Sequence, residues 1–362
     1  MTFKFFFLAG AIPDDHVHVC IALAQGLRQL GHKIIANQPV WDSELFPAAD
    51  EQPWEYEILD YRYAYHLPQW SFEYRHNNSR PKILIDQMPS MNLTSPWLFH
   101  NWINRVDLIL TTHGVIPSKK QFQGKVQRWG LGLTEEVMSL IDQTKTNSLG
   151  ADTKPWKSWR NEHSARRMVT AILQKEGLSE ELKTKIVLDD NSTNVCIQGV
   201  SRFNKRYFEY MNQQRLTLAF CGHLESKPVR LGWRAPFNND SAFKLTDRIT
   251  KRVYKKIRGQ EFRAKNYAIL QWDSYRFWEC LYSNTVPISF DFEYWDIDTE
   301  VRPVPFEHYI PFQNSAQDMF DSINDLSELQ LQQISNKGKD FFLEHHSPVA
   351  KAKRLLSCLK EL

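Results

Sequence analysis

Phe3 to Ala9 is an unbroken apolar run, the pattern of a strand buried on both faces. A polar loop follows, and Val19, Leu23, Leu27 and Leu30 then recur at helical spacing between Val17 and Leu30. Gly31-His32 closes that helix as a C-terminal glycine does, and Lys33 to Asn37 reads as a second buried strand. The chain therefore opens with a complete βαβ unit. Shorter apolar runs at Lys82 to Asp86, Asp107 to Thr112 and Lys125 to Trp129 are far enough apart to hold helices or crossovers between them. Up to Trp129 the pattern predicts a parallel α/β domain.

From Leu140 to Glu162 the chain turns polar, with Lys145, Thr146, Asn147, Ser148, Gly150 and Pro155, and the domain junction is expected there. Beyond it, Asn194 to Val200, Arg215 to Cys221 and Thr285 to Phe290 read as strands. Helices are predicted at Glu162 to Lys175, Lys205 to Gln213 and Ser274 to Ser283. Leu326 to Leu362 reads as helices broken near Ser347-Pro348. The expected layout is an N-terminal domain over 1–145, a second α/β domain over 146–340 and a closing helix over 341–362.

The composition fits this picture and narrows the function. A 362-residue chain with 42% hydrophobic and 24% charged residues is globular and long enough for two cores. A net charge of only +3 means that an anionic partner is met by a local patch, so a nucleic-acid partner is not expected. The odd set Cys20, Cys196, Cys221, Cys280 and Cys358 shows no zinc or C-x-x-C spacing and fits a reducing compartment. The apolar start MTFKFFFLAGA stops at Pro13-Asp14-Asp15 without a convincing cleavage site, so it reads as a strand rather than a signal peptide. No run is long enough to cross a bilayer, and a cytoplasmic protein is expected, with peripheral contact at the inner face of a membrane left open.

The first chemical candidate is the loop Gly10 to His18, at the carboxyl end of the first strand, where parallel sheets bind ligands. His16 has the composition of a general base, with Asp14 or Asp15 to orient it. The alternative is that an acid here only caps the helix. His16, Leu23-Ala24, Leu27 and Gly31-His32-Lys33 together resemble the opening of GT-B glycosyltransferases. That resemblance implies two Rossmann-like domains facing across a cleft, with the closing helix returning to the first and acceptor binding in the first. It also implies His16 as catalytic base, with Asp15 beside it. Asp14-Asp15 stand where those enzymes have a small residue and glycine, which leaves room for a different base, such as an aspartate, or for a structural role.

The second candidate is Asp273 to Ile288. Ser274 opens a helix, Arg276 lies in its first turn, and Glu279 follows one turn on. A helix amino end with an arginine suits a diphosphate, and an acid nearby suits ribose hydroxyls. The bland alternative is a core helix with Arg276 and Glu279 as a solvated ion pair. S-x-R-F-x-E-x-L followed by Val286-Pro287-Ile288 is similar to the donor-binding signature of exostosin-like glycosyltransferases and, more loosely, of fucosyltransferases. Tyr207 to Met211 and Leu216 to Gly222 fit the same layout. The resemblance implies donor contacts from Ser274, Tyr275, Arg276, Glu279 and Gly222, and Arg202 joins them as a basic candidate. Glu225 to Lys265 is longer than the family pattern, which predicts a wide separation of Gly222 from Ser274. The basic stretch Lys251 to Lys265 within it reads as a solvated helix face, or as a contact for phosphates or anionic lipid.

Asp296-Ile297-Asp298 has the form of a metal-binding pair but reads as a surface or acceptor loop, and no metal is expected. No cofactor is expected beyond a nucleoside diphosphate sugar as co-substrate. The acceptor is a carbohydrate, a lipid-linked group or a protein, and inversion follows if His16 is the base. An oxidoreductase is disfavoured because no strand is followed by G-x-G-x-x-G. A non-catalytic sugar- or nucleotide-binding protein on the same scaffold is the other rival.

Overall fold

The computed structural model describes residues 1–8, 17–38, 44–48, 52–67, 69–76, 79–87, 105–112, 125–145, 149–157, 163–184, 205–226, 267–270 and 273–362. The first lobe runs β1 (Thr2–Phe6), α1 (His18–Gln29), β2 (Lys33–Ala36), β3 (Tyr56–Asp60), α2 (Tyr61–His66), α3 (Gln69–His76), β4 (Lys82–Asp86), β5 (Leu108–Thr111), β6 (Val126–Arg128) and α4 (Glu135–Thr144). Its strands form one sheet in the order β2-β1-β3-β4-β5-β6, with every neighbour parallel.

The second lobe runs β7 (Trp156–Lys157), α5 (Ser164–Lys175), β8 (Lys183–Thr184), α6 (Lys205–Gln213), β9 (Leu216–Leu218), β10 (His223–Ser226), β11 (Tyr267–Leu270), α7 (Tyr275–Tyr282), β12 (Val286–Phe290), β13 (Ile310–Phe312), α8 (Ala316–Asn324), α9 (Glu328–His345) and α10 (Pro348–Leu359). Its parallel sheet has the order β8-β7-β9-β12-β13, and β10 and β11 form a separate antiparallel pair. Numbered within each parallel sheet, both begin 2-1-3-4-5. The two lobes are therefore repeats of one doubly wound topology.

The strands that the sequence displays as apolar runs are the fully buried ones, such as β4 and β12. The predicted strand over Asn194 to Val200 lies outside the described residues. β3 shows no such run because Glu57 and Asp60 interrupt it, yet both are buried. The Glu57 carboxylate meets His76 Nδ1 at 2.7 Å, and His76 in turn meets the Tyr63 hydroxyl at 3.0 Å. Asp60 caps α2 by accepting the Arg62 N–H at 3.0 Å. Each buried charge thus has its partner, as burial requires.

The helix break expected near Ser347-Pro348 falls between α9 and α10, with Ser347 capping α10 and Pro348 in its first turn. α10 packs on α1 of the first lobe. The two backbones come so close that a Cβ on Gly26 would collide with the Pro348 carbonyl. Among the described residues no helix is long and apolar enough to cross a membrane. Gly26→Ala should therefore lower the stability by ~1–3 kcal/mol through overpacking and speed hydrogen exchange in α10. Unchanged denaturation and exchange would show that this contact is dispensable.

Candidate functional site

In a doubly wound sheet the ligand crevice lies at the carboxyl ends of the strands, where the strand order reverses. In the first lobe that point lies between β1 and β3, and in the second between β7 and β9. The loop after β1, with Gly10, Asp14, Asp15 and His16, lies outside the described residues. Its entry is pinned by Asn37, whose side chain accepts the Phe7 N–H at 2.8 Å and donates to the Phe7 carbonyl at 2.9 Å. The N-cap position of α1 is held by Val17 rather than by an acid. His18, in the first turn, is buried, and its ring lies 5.8 Å from Tyr275 in an edge-on contact. The amino end of α1 thus touches the amino end of α7, and the two crevices face one another.

At the second crevice α5 starts behind His163, which caps it without a side-chain hydrogen bond. Ser164 Oγ accepts the Leu224 N–H at 2.7 Å, and the Ala165 N–H donates to the Gly222 carbonyl at 3.2 Å. Gly222 has a φ of 96°, a backbone suited to glycine. His163 Nδ1 and His223 Nε2 are 3.2 Å apart. Burial first, and then the charges of Arg166, His223, Arg167 and Arg276, push the His163 pKa down to about 4. His163 is accordingly neutral in a neighbourhood of positive charge.

The expected separation of Gly222 from Ser274 is corrected by the β10–β11 ladder. Its register pairs His223 with Leu270, so the chain leaves and returns at the same place. The basic stretch Lys251 to Lys265, and Arg202, lie outside the described residues.

Ser274 caps α7 in an extended conformation with no side-chain cap bond. Among the described residues neither the buried Ser274 hydroxyl nor Arg276 Nε finds a hydrogen-bond partner. Arg276 is half-buried and Glu279 is buried, accepting from the Tyr207 hydroxyl at 2.9 Å. The pair is therefore not the solvated one weighed from the sequence. Burial alone would lower the Arg276 pKa, but Tyr207 and Glu279 outweigh it and hold the guanidinium charged. Asp298 pairs with Arg128 of β6, and Asp296 has a φ of 53°. Among the described residues no cluster of three His, Cys, Asp or Glu has the geometry of a metal site. The sequence reading missed His163, which lies sixty residues from its partner His223, and the contact of His18 with Tyr275.

No protein-family model matches the sequence. No curated protein sequence matches it either. Solved structures do match the fold. A phage α-glucosyltransferase in complex with UDP superposes with a TM-score of 0.53 at 9% identity, covering 99% of this chain and 100% of that one. The same enzyme with UDP and a 13-mer DNA containing an HMU base gives 0.52 at 10% identity, with 99% of each chain covered. Anabaena HepE in complex with UDP-glucose gives 0.45 at 9% identity over the full length of both chains. Two parallel doubly wound lobes of repeated topology, meeting at their crevices and bridged by a returning helix, are the GT-B fold of glycosyltransferases, and this chain has it.

Proposed function

We propose that this protein is a glycosyltransferase that moves a sugar from a nucleoside diphosphate sugar, with a uridine nucleotide as first candidate, to an acceptor hydroxyl. The observation that carries the reading is the charge at the second crevice. His163, His223 and Arg276 gather there, with Arg166 and Arg167 close enough to help strip the proton from His163. Positive charge dense enough to keep a histidine neutral, beside two helix amino ends, suits a polyanion of diphosphate size. The similarity of S-x-R-F-x-E-x-L and Val286-Pro287-Ile288 to the exostosin-like and fucosyltransferase donor signature supports the same assignment.

In this reading Arg276 and the amino ends of α5 and α7 receive the diphosphate, with the Ser274 hydroxyl and the Gly222 backbone beside it. Arg202 adds a second guanidinium from its place ahead of α6. Glu279 accepts from a ribose hydroxyl with the carboxylate that Tyr207 also engages. Tyr275, at the contact with His18, faces the sugar. As the bond from anomeric carbon to diphosphate oxygen breaks, positive charge grows on the sugar and negative charge on the leaving group, where the cations stabilise it. The acceptor oxygen bonds to that carbon, and its proton passes to His16 oriented by Asp15, or to Asp14 or Asp15 directly. Inversion accompanies the His16 route.

The fixed cations supply the charge stabilisation that a divalent ion gives elsewhere, so the transfer runs without metal. A DNA-bearing neighbour shares the fold, so an acceptor screen includes DNA oligomers beside carbohydrates, lipid-linked groups and proteins, although the near-neutral net charge argues against nucleic acid.

UDP should stabilise the protein against heat, and Arg276→Ala or His163→Ala should abolish the shift; no shift with any nucleoside diphosphate contradicts the proposal. Because a bound dianion raises the His163 pKa from about 4, binding takes up a proton there. UDP affinity should rise as pH falls from about 7 towards about 4, by at most about tenfold per pH unit from one proton. His163→Gln should flatten the part of that slope which the titration of UDP itself does not explain. With donor and acceptor identified, turnover should survive excess EDTA. Loss of turnover that Mg²⁺ or Mn²⁺ restores would refute metal independence.

A further inference from the structure

Asp273 stands one residue ahead of the Ser274 cap of α7 and is buried. Its carboxylate accepts the backbone N–H of Leu131 at 2.8 Å and also Trp278 Nε1. Trp278 belongs to α7, whereas Leu131 belongs to the segment Trp129-Gly130-Leu131-Gly132-Leu133 between β6 and α4 of the first lobe. A single side chain therefore joins the start of the donor helix to the opposite lobe.

The same segment is gripped on its other sides. The Gly130 N–H donates to the Glu300 carboxylate at 2.7 Å. Glu300 is paired with Lys351, and with Arg354 Nη1 at 3.2 Å, both from α10. Lys351 Nζ sits 4.7 Å from the ring centroid of Trp129. His346 lies tilted against Trp278 with ring centroids 3.9 Å apart. Gly132 has a φ of 68°, and a Cβ there would press on the His346 carbonyl, so the segment lies where only glycine lets it lie. The diphosphate chemistry uses none of these groups, yet they border the helix that carries Ser274, Tyr275 and Arg276.

We propose that Asp273 is a positioning residue, whose side chain clamps the amino end of α7 to the first lobe's glycine segment and so holds Ser274, Tyr275 and Arg276 in place for the diphosphate. The clamp stands on the geometry alone, and its role in donor binding rests on the transferase reading. The clamp also responds to pH. Burial raises the Asp273 pKa to about 7, against the Leu131 and Trp278 hydrogen bonds and the Lys351 charge, which lower it, while Glu300 raises it. Arg354 stands behind Glu300, and His346 stays neutral because burial, Lys351, His345 and Arg354 all lower its pKa. A pKa raised by burial means that the clamped state holds this proton more tightly than an opened, solvated one does, so the grip loosens as pH rises towards about 7.

The test compares the wild type with Asp273→Asn from about pH 5.5 to about pH 8.5 by two readouts, the hydrogen-exchange protection factors of residues 129–133 and the affinity for UDP. The wild type alone serves as a second arm, because its own pH titration needs no variant to fold. Protection in the wild type should fall as pH rises through about 7, and Asp273→Asn, with one acceptor for two donors and no proton to lose, should be low and flat across the range. The wild type should bind UDP about tenfold more tightly than Asp273→Asn at the acid end, and the gap should narrow at the alkaline end. Protection and affinity that match across the range in both proteins overturn the clamp. Protection that follows Asp273 while UDP affinity is the same in both proteins overturns the positioning role and leaves the donor site intact. A wild type that binds no nucleoside diphosphate at any pH overturns the transferase reading, and the positioning role falls with it, whatever the protection shows.

Discussion

Parallel strands need crossover connections, and each crossover leaves its strand at the carboxyl end. Both principal sheets here are wholly parallel, so each lobe commits its strand-ending loops to a single edge. The shared 2-1-3 order then opens a crevice in the same place twice. Everything proposed about function follows from the two edges being brought face to face. The contact of His18 with Tyr275 marks where they meet. In the proposed function neither lobe by itself supplies both the acceptor loop and the cationic cradle for the donor.

What holds the edges together is polar and buried, which sets the energetics of the seam. Isolated, Glu300 would be costly at such a place. Its Oε2 accepts from Lys351 and from the Gly130 N–H, and Arg354 adds a second positive charge beside Oε1. Such a cluster adds little net stability compared with apolar packing, but it is directional, and losing one member strands the rest. Arg128 with Asp298 adds a further tie between the first lobe and the loop after β12. The apolar contribution comes from α10 on α1, where Gly26 lets the helices close to backbone contact. Any motion of one lobe against the other has to break or re-form these contacts.

Much of the fold was legible because strands buried on both faces read as continuous apolar runs, as β1, β4 and β12 do. β3 was not, since its buried Glu57 and Asp60 look like surface residues until His76 and Arg62 are seen beside them. β7 and β8, two residues each, are too short for any periodicity. In the site, the start of α7 with Ser274 and Arg276 was readable from a local pattern. The His163–His223 pair was not, because contact across sixty residues leaves no spacing signal. The distance from Gly222 to Ser274 was misjudged for a similar reason: chain length suggests separation, and an antiparallel pair at the base of the excursion cancels it.

The central claim is that the second crevice holds a nucleoside diphosphate between the amino ends of α5 and α7. A crystal structure of the protein with UDP tests it most directly. The account expects the diphosphate within hydrogen-bonding distance of Arg276 and His163, and the ribose beside Glu279. A nucleotide bound elsewhere, with that crevice left to solvent, would contradict it.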